Sequence, residues 1–224
     1  MYVQKIMNKW EYENFFYLTS DQSRIRKIID HYEIYKKISK LKGDIIECGV
    51  FKGVSLIRFL TFRDMEKTAK GFKKKVYGFD IFGSFPKPKI DILHKKRDTN
   101  FAKFHDKRIG FGLSIKELNN FLKKKKFKNY QLIKGDVITT INKFIKKKNI
   151  KISLLHLDLD IYSPTKIVLN ALFKFIVKGG IVLIDDYNHI KGATIAVDEF
   201  LKKNKKLKIE KLSKKSRPSF IIKK

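Results

Sequence analysis

The chain has 224 residues and a mass of 26.4 kDa, and 43% of it is hydrophobic, enough to bury one good core and to form a single domain with additions rather than two. Its formal net charge is +30, but 45 of the 52 basic residues are lysine and seven are arginine, which reads as solvation or compositional bias with a weak general attraction to polyanions. The single cysteine, Cys48, excludes an internal disulfide; no apolar run approaches the roughly 20 residues of a spanning helix, and MYVQKIMNKWEYEN holds no apolar stretch of signal-peptide length, so a cytoplasmic protein is expected.

Residues 1–20 are aromatic-rich (Trp10, Tyr12, Phe15, Phe16, Tyr17) without clean periodicity, and are expected to form an arm that packs on the core or closes over a ligand. Ile25, Ile28, Ile29, Tyr32, Tyr35 and Ile38 recur at helical spacing between Asp21 and Lys42, with Gly43 closing the helix. A strand from Asp44 to Val50 then enters a glycine-containing turn, followed by a helix from about Val54 to Thr68. Val76 to Phe79 is a second strand, stopping at Asp80. The stretch from Ile81 to Gly112, with Pro86 and Pro88, shows no sustained period and is expected to be an insertion loop or lid that shapes an acceptor pocket. Ser114 and Glu117 form a capping box that opens a helix to about Lys125. Tyr130 to Ile133 is a third strand; Gly135-Asp136 lead from it into a helix from Val137 to Lys147.

The most informative segment follows. An apolar run from Ile152 to Leu157 stops at Asp158 and Asp160, and a second from Ile181 to Ile184 stops at Asp185 and Asp186. Between them a helix is expected, with Ser163 capping its first turn, Pro164 at its first position and Gly179-Gly180 at its end. Ala193 to Lys203 reads as a last helix, and Leu207 to Leu212 with Ser219 to Ile222 as two strands. This alternation predicts an α/β fold with a doubly wound, mostly parallel seven-stranded sheet, an antiparallel C-terminal hairpin and an N-terminal helical arm.

A right-handed crossover makes the two acid-tipped strands parallel and gathers four carboxylates at the carboxyl edge of the sheet, where open α/β sheets bind ligands. Carboxylates so crowded raise each other's pKa unless a cation sits among them, which points to a divalent metal site. Asp160 lies two positions beyond Asp158, so both share a face if strand geometry persists, one free to hold metal and the other to take a proton. His156 has the same parity and reads chiefly as a hydrogen-bonded histidine under the site, with ligand or base as the sharper alternative. His189 is a loop histidine that is either solvated or in contact with substrate. Upstream, Glu47-Cys48-Gly49-Val50-Phe51-Lys52-Gly53 departs from the dinucleotide glycine pattern. A carboxylate before its first glycine would repel a pyrophosphate but suits an amine-bearing ligand. Asp80 is placed to accept both hydroxyls of a ribose, and the two together suit S-adenosylmethionine.

The runs GDIIECGVFKGVSLIRFL (43–60), YGFDIFGSFP (77–86), LIKGD (132–136), LLHLDLDIYSPTKIVLNALF (154–173) and GGIVLIDDYNHIKGATIAVDEF (179–200) resemble the macrocin O-methyltransferase family. That resemblance spans roughly residues 20 to 200 and implies a Rossmann-like class I fold and transfer of a methyl group from S-adenosylmethionine to a sugar hydroxyl, on a nucleotide-deoxysugar or glycan, with Mg²⁺. By resemblance the cofactor would be bound by Glu47, Cys48, Gly49, Val50 and Phe51, by Asp80, Ile81, Phe82 and Ser84, by Ser114 and Asp136, and by Asp158. Asp158, Asp185 and Asp186 would hold the metal, and Asp160 would act as base. Three acidic ligands would also suit another vicinal diol such as a catechol. A nucleic-acid-binding or nucleic-acid-modifying protein is the reading from charge alone. Against it, the lysine runs at 73–75, 123–126, 146–148 and 202–206 are scattered at helix ends without interleaved aromatics. The expected partners are a small-molecule or glycan substrate and a second copy of the chain in a homo-oligomer, with no specific nucleic acid.

Overall fold

The computed structural model describes residues 8–66, 74–86, 94–146 and 149–224. Residues 1–7 of the arm, Pro88 and the expected helix ends at Thr68 and Lys147 lie outside these. Five strands run parallel: β1 (Asp44–Cys48), β2 (Val76–Asp80), β3 (Tyr130–Lys134), β4 (Ile152–Leu157) and β5 (Ile176–Ile184). Two short ones, β6 (Ile209–Glu210) and β7 (Ser219–Ile222), add an antiparallel edge. The strand order is β3-β2-β1-β4-β5-β7-β6, so the direction of winding reverses between β1 and β4, and a crevice opens beyond their carboxyl ends. The expected doubly wound sheet with its antiparallel hairpin is the observed one.

Eight α-helices accompany the sheet among the described residues: α1 (Lys9–Thr19), α2 (Gln22–Ile38), α3 (Val54–Met65), α4 (Lys95–Arg108), α5 (Ile115–Lys124), α6 (Val137–Phe144), α7 (Tyr162–Leu172) and α8 (Lys191–Lys203). Strand alternation divides the core into two layers, because both faces of a mostly parallel sheet are covered. Ile45, Leu154, Ile181 and Leu183 pack with α2, α3 and α5, whereas Ile46, Cys48, Leu155, Leu157, Val182 and Ile184 pack with α6, α7 and α8. The register places Glu47 opposite His156 and His156 opposite Leu183, so a buried polar pair on β1 and β4 stands beside the apolar Leu183 on the α2 side of the sheet.

Four expectations are corrected. The stretch read as a loop from Ile81 to Gly112 contains α4, whose sequence KKRDTNFAKFHDKR buries only Asp98 and Ala102 and therefore lacks a continuous apolar stripe to signal it. α7 begins at Tyr162 with Ile161 at its N-cap, so Ser163 and Pro164 stand inside the first turn and neither opens it. Asp98 of α4 supplies the missing cap, accepting the Tyr162 N–H at 3.0 Å. Gly179 and Gly180 lie within β5 rather than at a helix end, and α7 terminates through a 3₁₀ turn at Phe173–Phe175. At the N-terminus, α1 is capped by Asn8 with Glu11 and buries none of its residues, leaving Trp10, Phe15, Tyr17 and Leu18 exposed rather than packed on the core.

Candidate active site

Everything at the crevice hangs on the turn that follows β1. Gly49 has φ +90, a conformation that side chains resist, and a Cβ there would stand 1.7 Å from the carbonyl oxygen of Asp158. Close approach of the β1 and β4 ends thus requires glycine, and it is locked by Gly49 N–H donating to Phe79 O (2.9 Å) and Asp158 N–H donating to Cys48 O (2.9 Å). Asp80 holds the rest of the turn: its Oδ2 accepts the N–H groups of Val50 (2.8 Å) and Phe51 (2.9 Å), and its Oδ1 accepts that of Phe82 (2.6 Å). Phe51, Phe82 and Asp160 all carry positive φ, so backbone strain collects at three successive edges of one site.

The cavity beyond these turns has a volume of about 420 Å³, in the range of small-molecule sites. Gly49, Val50, Phe51, Asp80, Ile81, Ser84, Asp136 and all four aspartates, Asp158, Asp160, Asp185 and Asp186, line it. Four residues expected to bind the cofactor do not line the cavity: Glu47, Cys48, Phe82 and Ser114. Glu47 is fully buried beneath the turn, where Oε1 accepts from the Ser55 hydroxyl and faces His156 Nδ1 at 3.3 Å. Cys48 points to the opposite core layer, where burial raises its thiol pKa, and Phe82 is buried behind its strand end. Ser114 is exposed and occupied as the N-cap of α5 with Glu117. Asp136 is the N-cap of α6, accepting Ile138 N–H at 3.0 Å, while it lines the cavity.

The four aspartates separate into two groups. Ligand oxygens of Asp158, Asp160 and Asp186 lie within 4.8 Å of one another, and Asp160 N–H donates to Asp186 Oδ2 at 3.1 Å. Burial, compounded by the neighbouring carboxylates, pushes Asp158 up to about 6 and Asp160 up to about 8, and drives Asp186 well above the ordinary range. Asp185 continues the parity of Ile181 and Leu183 toward α2, where its Oδ2 is paired with Lys27 and its Oδ1 lies 3.9 Å from His31 Nε2. Burial would raise Asp185, but His31 and the Lys27 ammonium hold it well below the usual carboxylate value. His31 is itself pushed down to about 3 by burial, so it is neutral, and it meets His156 edge-on at 5.3 Å between ring centres.

Strand parity does not bring Asp160 beside Asp158, because β4 ends at Leu157 and Asp160 takes φ +61. The left-handed turn returns its carboxyl to the cluster instead. His156 sits fully buried beneath the site, and His189 is exposed and does not line the cavity. Reasoning from sequence passed over Lys27 and His31, although a lysine and a histidine four apart on the face that also carries Ile34 and Ile38 were the available signal. It also passed over Ser55, Arg24, Arg58 and Arg217, which line the same cavity from α3, α2 and the β6–β7 connection.

Carboxylate oxygens converging without enough positive charge fit a hard divalent cation, and nothing in the donor set favours a soft metal. Among the described residues no helix is long and apolar enough to cross a membrane.

Residues 20–214 match the macrocin-O-methyltransferase (TylF) family. A search of curated protein sequences finds no match. Among solved structures, the calicheamicin methyltransferase CalS11 superposes with a TM-score of 0.70 at 20% identity, over 98% of this chain and 87% of that one. The O-methyltransferase NovP gives 0.73 at 18% identity over 89% and 80%. An O-methyltransferase from Bacillus cereus in complex with SAH gives 0.52 at 12% identity over 98% and 92%. At these identities the structural likeness is one of fold.

Proposed function

The chain belongs to the macrocin-O-methyltransferase family and is an O-methyltransferase, and on that premise we propose that it moves the methyl group of S-adenosylmethionine to a sugar hydroxyl with the help of Mg²⁺. The observation that carries this reading is the juxtaposition, in one cavity, of the Gly49–Phe51 turn and a carboxylate cluster of Asp158, Asp160 and Asp186. Two likenesses support it: CalS11 is a TDP-rhamnose 3'-O-methyltransferase, and the Bacillus cereus enzyme was solved with the demethylated cofactor.

Methyl transfer to an alcohol is an in-line displacement, so the chain has to align oxygen, methyl carbon and sulfur and remove a proton from a poorly acidic hydroxyl. Gly49, Val50 and Phe51 would seat the methionine end, with the Ser55 hydroxyl beside them. Asp80 and Ile81 would face the ribose, and Asp136 with Ile138 the adenine. Asp158 and Asp186 would hold Mg²⁺, joined by Asp185 only if it gives up its pairing with Lys27, and the ion when bound lowers the pKa of vicinal hydroxyls and fixes their orientation. Asp160, held in the left-handed turn within 4.8 Å of Asp158 and Asp186, would take the proton. Without a cation its carboxyl is raised to about 8 by burial and its acidic neighbours; Mg²⁺ among those carboxylates would oppose that rise and favour the ionised form that can accept the proton. The catalytic cluster and a cytoplasmic location are parts of this proposal.

The test is methyl transfer to a panel of nucleotide-deoxysugars and glycans. Asp160→Asn is expected to lower kcat by about 10²–10⁴-fold while S-adenosylhomocysteine still binds. Excess EDTA is expected to abolish turnover, and full activity in EDTA would sink the role of the metal.

A further inference from the structure

Resting on the methyl-transfer reading of this cavity, we propose that Arg24, Arg58 and Arg217 form an anion subsite for a phosphate or diphosphate carried by the acceptor, so that the enzyme acts on a phosphorylated sugar rather than a neutral glycan. The chain spends arginine sparingly, with seven against 45 lysines. Three of the seven are absorbed by structure: Arg26 pairs with Asp30 at 2.8 Å, Arg63 with Asp64 at 3.0 Å and Arg97 with Asp98 at 2.9 Å. Arg108 closes α4 at the surface. The remaining three line the cavity that holds the aspartate cluster, and among the described residues none of them forms an ion pair within 4.0 Å, although Asp185 and Glu47 act on Arg58 at longer range and Arg217 acts on Asp160.

These three reach the cavity from separate elements, α2, α3 and the connection between β6 and β7, which no local sequence preference for arginine would arrange. Arg58 is partly buried, and its burial and the charge of Arg24 work against its guanidinium more than the charges of Asp185 and Glu47 favour it. Holding two cations together in a partly desolvated place is unfavourable until an anion sits between them. In the cofactor, a single carboxylate carries the only negative charge, too little for three arginines, while Lys27 is already paired with Asp185. Phosphate oxygens match the planar fork of arginine in a bidentate manner, and lysine, which this chain uses freely elsewhere, does not reproduce that geometry. Acids for the reacting hydroxyl and arginines for the charge of the same substrate thus line one cavity.

The experiment begins with calorimetric titration of pyrophosphate into the full-length protein, which needs no turnover. Saturable binding is expected in wild type, weakened about tenfold or more in Arg58→Gln and in Arg217→Gln, but not in Lys202→Gln on the exposed end of α8. Titration of S-adenosylhomocysteine into the same variants is expected to give Kd values within about threefold of wild type. In turnover, KM for a nucleoside-diphosphate hexose or a hexose 1-phosphate is expected to rise about tenfold or more in both arginine variants, and the ratio of the two effects separates a diphosphate from a monophosphate acceptor. Pyrophosphate binding that is unsaturable, or equal in all four proteins, would overturn the subsite. Loss of S-adenosylhomocysteine affinity in Arg58→Gln would reassign that arginine to the cofactor carboxylate and overturn it likewise. A wild-type protein that binds pyrophosphate but neither binds S-adenosylhomocysteine nor transfers methyl groups would instead remove the methyl-transfer reading itself.

Discussion

Gly49→Ala tests whether the approach of β1 to β4 organises the site. The substitution places a Cβ 1.7 Å from the Asp158 carbonyl oxygen and 2.7 Å from its carbonyl carbon, both backbone atoms that cannot rotate away. Adopting φ +90 costs a side-chain-bearing residue about 1–2 kcal/mol. Relieving the clash also requires the strand ends to part far enough to break the 2.9 Å bond from Asp158 N–H to Cys48 O. A buried backbone group left unpaired costs about 1–3 kcal/mol. The sum, about 2–5 kcal/mol, is a large share of the roughly 5–15 kcal/mol that stabilises a domain. At about 2–4 °C per kcal/mol for a chain of this size, Tm should fall by about 4–20 °C. Thermal melting by circular dichroism reads the global loss, and calorimetry with S-adenosylhomocysteine reads the local one, expected to be about tenfold or more. Wild-type Tm together with wild-type affinity would refute the reasoning, since the two strand ends could not then be in contact as described.

Other outcomes follow from single contacts. Lys27→Met leaves Asp185 buried without its cation and should lower stability in urea by about 2–4 kcal/mol, with Mg²⁺ restoring part of the loss; an unchanged midpoint would show that the pair is dispensable. Asp98→Ala removes the only side-chain cap on the first turn of α7 seen among the described residues, for an expected loss of about 1–2 kcal/mol and reduced turnover, read by denaturation and steady-state kinetics. Lys74 is buried against the carbonyls of Leu41 and Gly43, and burial pushes its amine down to about 8. Above pH 8 the folded chain has shed a proton that the unfolded chain keeps until about pH 10.5, so this group adds stability as pH rises through that window. Urea midpoints of wild type and Lys74→Met should therefore diverge in favour of wild type between pH 8 and about 10.5, and parallel curves would contradict it.

Much of the molecule was legible before any coordinates, because short apolar runs ending in acids or glycines are sufficient to identify parallel strands and their carboxyl edge. Ser114 with Glu117, and Asp136, cap α5 and α6 through hydrogen bonds made within a few residues, which is why spacing alone reveals them. α4 was not legible: its one deeply buried charge, Asp98, gains its meaning from Tyr162, 64 positions away. Glu47 looked like a ligand for an amine, and its removal beneath the turn follows from Ser55 and His156, which close over it in the folded chain.

By itself the sequence determined that four carboxylates stand at two strand ends beside a glycine turn, since that follows from alternation and chain order. Tertiary structure decided how those carboxylates divide. Adjacent residues at a strand end face opposite layers, so Asp186 joins Asp158 and Asp160 while Asp185 meets Lys27 and His31 from α2. The same packing brought Arg24, Arg58 and Arg217 to one cavity from positions as far apart as 24 and 217, a convergence that no local pattern encodes.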